Sequence, residues 1–324
     1  MGDPSRVGEA RRHAAQLAAD CNLDEVTAGR LAIVVTELGT NLVRHAREGR
    51  LLIAARPRQR EIEVVALDSG PGIPDVARSL HDGYSTGGTP GTGLGAVRRL
   101  ASTFDVHSEV PHGTVVLARV RPAHQPSTVR GAICTGAISV PKPGERACGD
   151  AWAFALDGAR AAVVVADGLG HGPSAAEASA AAVEAFVADP FAAPRMLLER
   201  THARLRSTRG AAVAMVQADI ATGSLRVAGA GNVLGRVVSG VQDRTLLSQH
   251  GTAGVSIRTP EETTAPWPPH ALLVLCSDGL ETRWKADLLH PVLGRDPTIA
   301  AAVLLRHHFR GRDDGTVAVL RRSD

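Results

Sequence analysis

Gly83-Tyr-Ser-Thr-Gly-Gly-Thr-Pro-Gly-Thr-Gly-Leu-Gly-Ala-Val-Arg98 decides how the first third of this chain reads. It holds six glycines, three of them (Gly91, Gly93 and Gly95) at alternate positions, and from Leu94 it runs into a helical pattern. Glycine lets a backbone take positive φ and approach a ligand closely, and a helix start offers unpaired N–H groups to an anion. The stretch reads as a phosphate-gripping loop, although a flexible surface loop has the same composition. The basic residues narrow the choice. Lys142 and Lys285 are the only lysines, so no lysine precedes the loop or follows it closely. A Walker-type site needs Gly-Lys-Ser/Thr and a eukaryotic-type protein kinase needs a strand lysine, so both are excluded.

Upstream, residues 6–20 recur at helical spacing, and Asn22 with Glu25 has the form of an N-cap and its partner. A long helix is expected over 25–47, with Leu31, Val34, Val35, Leu38 and Leu42 on its buried face. Glu37, Asn41 and His45, four apart, stack along its edge, either as a site or as a solvated stripe. Strands are expected at 51–56 and 61–67, the second ending in Asp68-Ser-Gly70-Pro-Gly72-Ile73. A carboxylate held at a strand end beside such a turn can accept a hydrogen bond from an adenine amino group. After the glycine loop, a helix over 94–102 leads to strands at 104–108 and 114–120.

These boxes, in this order, resemble the GHKL ATPases across about residues 6–120. The resemblance implies an α/β sandwich (the Bergerat fold) with a mixed, largely antiparallel sheet, and ATP with Mg²⁺ as cofactor. It implies that Asn41 holds Mg²⁺ and that Asp68, with Gly70, Gly72, Ile73 and Thr114, surrounds adenine. Gly91, Gly93, Leu94 and Gly95 then cover the phosphates. The compact form is most similar to the serine kinases of bacterial partner-switching modules, the RsbT type, because no dimerising phospho-acceptor helix fits before residue 6. That likeness implies Glu37 as general base toward a serine hydroxyl. It leaves His45 as a neighbour rather than a catalyst. Relatives of this kind open with an extra edge strand, and none is read here.

Residues 121–130 carry two prolines among polar residues, as a short linker does. Beyond them strands are expected at 133–140, 151–156, 160–166, 211–219, 224–228, 233–238, 272–276 and 316–320, with helices at 174–188 and 194–207. Many strands with paired helices between them indicate an α+β sandwich. Four acidic positions fall at strand ends beside glycine or another acid: Asp150, Asp167-Gly168, Asp278 and Asp313-Asp314. Each alone could be an ordinary Asp-Gly turn. Together they suit hard divalent cations, which take several converging oxygens.

The motifs Asp167-Gly-Leu-Gly-His171-Gly, Ser277-Asp-Gly and Asp313-Asp-Gly-Thr resemble the metal-dependent PPM serine/threonine phosphatases, in their SpoIIE-like branch, over residues 132–324. The resemblance implies a β-sandwich flanked by helices and two Mn²⁺ or Mg²⁺ ions. Asp167 would bridge them, the Gly168 carbonyl and Asp150 would complete one site, and Asp278 and Asp313 the other. Asp314 is assigned to orienting the loop, and His171 either assists the leaving group or packs. With no sensor domain read, the compact phosphatase is most similar to the RsbX type.

Composition agrees with two enzymatic domains. The 324 residues are 44% hydrophobic and 3% aromatic, so the cores must be Ala, Val and Leu packing. A net charge of +3, without a basic run, gives no argument for nucleic acid. Four scattered cysteines without a Cys-x-x-Cys pair suggest neither a disulfide framework nor a zinc site, and fit a reducing cytoplasm. No signal peptide is read, and no apolar run approaches the roughly 20 residues of a membrane span. The expectation is a two-domain chain: a kinase-like domain at 1–121, a linker at 122–131 and a phosphatase-like domain at 132–324. The first would phosphorylate a STAS-domain switch protein of the RsbS or RsbR kind and the second dephosphorylate it, with a downstream phosphatase or signalling enzyme as a further partner. An ATP-binding, anti-sigma-like module regulating the phosphatase is the alternative.

Overall fold

The computed structural model describes residues 3–80, 93–123 and 131–322. Two compact units divide the chain, Met1–Val129 and Arg130–Asp324. Most of the expected linker, Gly91, and the loop before it lie outside the described residues.

The first unit opens with helix α1 (Ser5–Asp20). Asn22 ends it in the left-handed region at φ 51°, where the Leu23 amide donates to the Ala18 carbonyl and the Asn22 amide to the Ala19 carbonyl, each at 2.9 Å. Asparagine tolerates this helix-closing conformation. Asn22, expected to cap the next helix, is thus occupied in closing the previous one. The cap of α2 (Glu25–His45) is Asp24, whose carboxylate accepts from the Thr27 amide at 2.8 Å and from Thr27 Oγ1 at 2.9 Å. The helix ends two residues before the expected position.

Strands β1 (Arg50–Arg56) and β2 (Glu61–Asp68) follow, then the single turn α3 (Val76–Ser79), helix α4 (Gly93–Leu100), and strands β3 (Thr103–Glu109) and β4 (Gly113–Val120). The sheet order is β1-β2-β4-β3, and among the described residues all three pairings are antiparallel, where a mixed, largely antiparallel sheet was expected. Alternate residues Ile62, Val64 and Ala66 of β2 and Val116, Ala118 and Val120 of β4 join Leu31, Val34, Val35, Leu38 and Leu42 in one core. This is the period of two meeting the period of 3.6. By length and composition α2 is apolar enough to cross a bilayer, and Leu31, Val34, Val35, Leu38 and Leu42 are spent on this core while Val26 and Ile33 stay exposed.

The second unit comprises β5 (Ile133–Val140), β6 (Asp150–Asp157), β7 (Arg160–Gly168), α5 (Pro173–Val187), α6 (Pro194–Arg204), β8 (Ala211–Asp219), β9 (Ser224–Ala230), β10 (Leu234–Val238), β11 (Asp243–Leu246), β12 (Gly251–Thr252), β13 (Ser256–Ile257), β14 (Thr263–Pro266), β15 (Leu272–Cys276), α7 (Pro297–His308) and β16 (Gly315–Arg322). Two five-stranded antiparallel sheets, β11-β10-β15-β16-β5 and β14-β9-β8-β7-β6, share a core that includes Val163, Val216, Val237, Leu273 and Leu320. Phe186, Leu197 and Leu198 of α5 and α6 cover the outer face of the second sheet. Helix α7 covers β5 and β16 of the first.

Helix α7 and strands β11 to β14 were not read from the sequence. Every residue of α7 from Pro297 to Leu305 is buried, so it lacks the polar stripe that marks an amphipathic helix. Its start is nonetheless written in the chain: Asp296 accepts from the Thr298 amide at 3.0 Å, and Pro297 occupies the first turn.

Candidate functional site

Asp68 ends β2, and the register sets it directly opposite Thr114 of β4; Thr114 in turn lies opposite Ser108 of β3. Ser108 Oγ lies 2.8 Å from Thr114 Oγ1 and accepts from the Ile73 amide at 2.7 Å. Ile73 and Thr114, both expected at the adenine, are therefore joined through a serine the sequence reading passed over. A lone strand serine carries no pattern of its own, and only the register could have found it. The Asp68 carboxylate accepts from the Gly70 amide at 2.7 Å. The next amide, Ser69, donates to the Arg47 carbonyl at 2.9 Å, which anchors the turn beside the end of α2. Gly72 has φ 76°, and its Cα faces the Glu109 carbonyl so closely that a Cβ would stand 2.6 Å away.

Along α2, Glu37 and Asn41 are half-buried and His45 is exposed. Helix α4 packs against α2, and Arg30 Nε donates to the Leu100 carbonyl at 3.0 Å to fix its far end. Leu94 enters the core, Gly95 is buried, and Gly93 opens the helix with nothing within 4 Å of where a Cβ would be. That open first turn suits an anion approaching the helix amides. Amide and carboxylate oxygens at Asn41 and Glu37 are the hard donors Mg²⁺ takes.

In the second unit the acids gather at strand ends. Asp150 and Asp167 are cross-strand partners in the β6–β7 register, and the Gly168 amide donates to the Gly149 carbonyl at 3.1 Å. Asp150 is buried; its Oδ2 accepts from Ser277 Oγ at 2.6 Å, and its Oδ1 has no partner. Ser277 Oγ also accepts from the Thr316 amide at 2.9 Å, stitching β15 to β16. Asp278 Oδ2 accepts from Asn232 Nδ2 at 2.6 Å. Asp313 Oδ1 accepts from the Asp314 amide at 2.9 Å; Asp314 is buried, accepts from the Lys142 amide at 2.8 Å through Oδ1, and leaves Oδ2 unpartnered. Asn232 went unnoticed in the sequence, and Ser277 was read only as part of the Ser-Asp-Gly motif, because neither residue type shows its role without its partner in view.

Two glycines set the spacing. A Cβ on Gly168 would stand 2.1 Å from the Ala175 carbonyl, so the start of α5 presses on that backbone. A Cβ on Gly279 would stand 1.7 Å from the Asp314 carbonyl, so the acid-bearing ends of β15 and β16 touch main chain to main chain.

Burial pushes the Asp167 carboxyl up to about 8, and the charges of Asp150, Asp278 and Asp313 act in the same direction. Burial also raises Asp150 to about 6, against hydrogen bonds from Ser277 and Thr316. Carboxylates opposed across strands repel, and a cation is what relieves such repulsion. Among the described residues no three His, Cys, Asp or Glu side chains form a ready-made ligand set. Mg²⁺ is held through one or two carboxylates and several waters, so paired acids with orphaned oxygens fit it. Burial, and Asp150 next, hold the Cys148 thiol up at about 12, which leaves the neighbouring sulfur protonated and the donor set all oxygen.

The fold and these sites define a class: an ATPase unit of the GHKL type joined to a metal-dependent phosphatase unit of the PPM type. Comparison with known proteins makes it particular. Residues 2–120 match the histidine kinase-like ATPase domain and residues 157–322 match stage II sporulation protein E (SpoIIE). The serine/threonine-protein kinase RsbT of Bacillus subtilis (strain 168) is 32% identical over 111 residues, covering 34% of this chain and 84% of RsbT. The chain belongs to the SpoIIE phosphatase family in its second unit and is an RsbT kinase homologue in its first. A chain of the bacterial stressosome, a modular system adapted to control secondary messenger signalling, matches with 26% identity and a TM-score of 0.55, covering 58% of this chain and 99% of that one. RsbX in complex with magnesium matches with a TM-score of 0.53 over 59% of this chain and 96% of its own, and at 21% identity it shows the fold alone.

Proposed function

We propose that this chain is a bifunctional partner-switching regulator of the cytoplasm. Its first unit transfers the γ-phosphoryl group of ATP to a serine or threonine of a STAS-domain protein of the RsbS or RsbR kind, and its second hydrolyses that phosphate. The observation that carries the reading is the coexistence of two complementary sites in one chain: the Asp68–Thr114–Ser108 row in the unit that also carries the open start of α4, and the carboxylates of Asp150, Asp167, Asp278 and Asp313 at strand ends.

In the kinase unit Asp68 selects adenine by accepting from its amino group, and Thr114 and Ile73 line the same end. Gly91, Gly93, Leu94 and Gly95 cover the phosphates, and Asn41 holds Mg²⁺. Glu37, four residues before Asn41 on the same face of α2, takes the proton of the attacking hydroxyl. In the phosphatase unit Asp167 is the bridging acid, with Asp150 and the Gly168 carbonyl on one side and Asp278 and Asp313 on the other. Divalent ions, when bound there, supply positive charge for the phosphoryl oxygens and acidify water. Asn232 and Ser277 fix the rotamers of Asp278 and Asp150, and Asp314 holds the 141–149 loop through the Lys142 amide. His171 stands four residues after Asp167, where it can hand a proton to the departing hydroxyl.

The test is incubation of the chain with ATP, Mg²⁺ and a candidate STAS protein. Asp167→Ala is expected to raise the phosphorylated fraction and Glu37→Ala to abolish it. Loss of neither activity would overturn the shared-substrate reading, and ATP binding without phosphotransfer would favour a nucleotide-sensing module.

A further inference from the structure

The loop at 141–149 is tied down at Lys142 and again at Glu145, and the second tie has no part in the reaction described so far. The Lys142 amide donates to Asp314 Oδ1 at 2.8 Å, the Glu145 amide donates to the Lys142 carbonyl at 2.9 Å, and Glu145 Oε1 lies 2.9 Å from His171 Nδ1. A line of hydrogen bonds thus runs from a buried acid of the metal cluster to the one histidine of the Asp167–Gly172 motif. Glu145 also borders the turn itself: a Cβ on Gly172 would meet its Oε2 at 3.4 Å. His171 Nε2 makes no hydrogen bond among the described residues, and the side chain is 45% exposed.

From this geometry we propose that Glu145 is a positioning residue for phosphoester hydrolysis, holding His171 by Nδ1 so that Nε2 delivers the leaving-group proton. The inference rests on the phosphatase reading above and adds a residue to it. A carboxylate on Nδ1 fixes the orientation of the ring and keeps Nε2 as the nitrogen that faces away from it. The step balances. Water forms the new P–O bond and gives up a proton, the bond from phosphorus to the serine oxygen breaks, and that oxygen takes the Nε2 proton. Neutral His171, its Nδ1–H still donated to the Glu145 carboxylate, regains an Nε2 proton from solvent, which takes up the one that water released. Phosphate and free serine are the products.

A leaving-group series reads this directly, because p-nitrophenolate departs as a stable anion while a serine alkoxide needs the proton. The full chain, with Mn²⁺, is assayed on p-nitrophenyl phosphate and on a phosphoserine peptide. Glu145→Gln is expected to lower kcat on the phosphopeptide by about ten-fold or more, the scale of a mispositioned general acid, with a far smaller loss on the nitrophenyl ester. Glu145→Asp should restore part of the phosphopeptide rate, and His171→Asn combined with Glu145→Gln should be no slower than His171→Asn alone. Equal losses on both esters, or additive losses in the double variant, would overturn the proposal and leave the phosphatase reading intact. Hydrolysis of neither ester by the unaltered chain would overturn both.

Discussion

Asp150 and Asp167 stand directly opposite each other across the antiparallel pair β6 and β7, with Asp150 almost wholly removed from solvent. Two carboxylates in that relation store repulsion that a bound cation releases. The Asp167 carboxyl, near 8 in the folded state against an ordinary 3.8, binds a proton that the unfolded chain gives up. Stability is therefore fullest at low pH and is lost as pH climbs toward the folded value. In chelator, the melting temperature should fall between about pH 4 and about pH 8, and Mn²⁺ should recover it most at the alkaline end. Asp167→Asn should flatten the slope; a slope unchanged by that substitution would refute the assignment.

Ser277 serves two buried groups at once, the Asp150 carboxylate and the Thr316 amide. Ser277→Ala strands both, which costs about 1–3 kcal/mol for each unsatisfied group. It also removes a hydrogen bond that holds the Asp150 carboxyl down. Thermal unfolding should show the destabilisation, and Mn²⁺ titration near neutral pH should show weaker binding than in the parent chain.

The adenine end has its own signature. On the proposed reading, Asp68→Asn would set a mixed donor and acceptor where the adenine amino group needs an acceptor. A charged hydrogen bond is worth about 1.5–3 kcal/mol, so ATP affinity should drop about 10- to 100-fold in calorimetry. Ser108→Ala should give a smaller loss, since it acts through Thr114 and the Ile73 amide.

Glu37→Gln keeps the size and polarity of the side chain and removes the proposed base. Phosphotransfer should fall by about 10²–10⁴-fold while ATP still binds. Parallel loss of ATP binding would move Glu37 from the reaction to the nucleotide pocket.

Much of this was legible in the chain. The acid-and-glycine motifs placed Asp68, Asp150, Asp167, Asp278 and Asp313 at or just beyond strand ends, because Asp-Gly turns and strand periodicity are local signals. What escaped was non-local or uniformly apolar. Helix α7 is buried on every side and shows no stripe. Asn22 and Asp24 both resemble caps, and only the left-handed turn after α1 separates their roles. Ser108, Ser277, Asn232 and Glu145 acquire meaning only through partners on other strands or loops.

The contact of Gly279 with the Asp314 carbonyl has a wider consequence. Because backbone rather than side chain sets the distance between those two strand ends, that spacing does not depend on the charge of Asp278 or Asp313. Charge can be edited out by Asp→Asn exchange while the rim presented to a protein substrate keeps its contour. On the phosphatase reading proposed above, such a variant loses its metal while its strand ends stay in place.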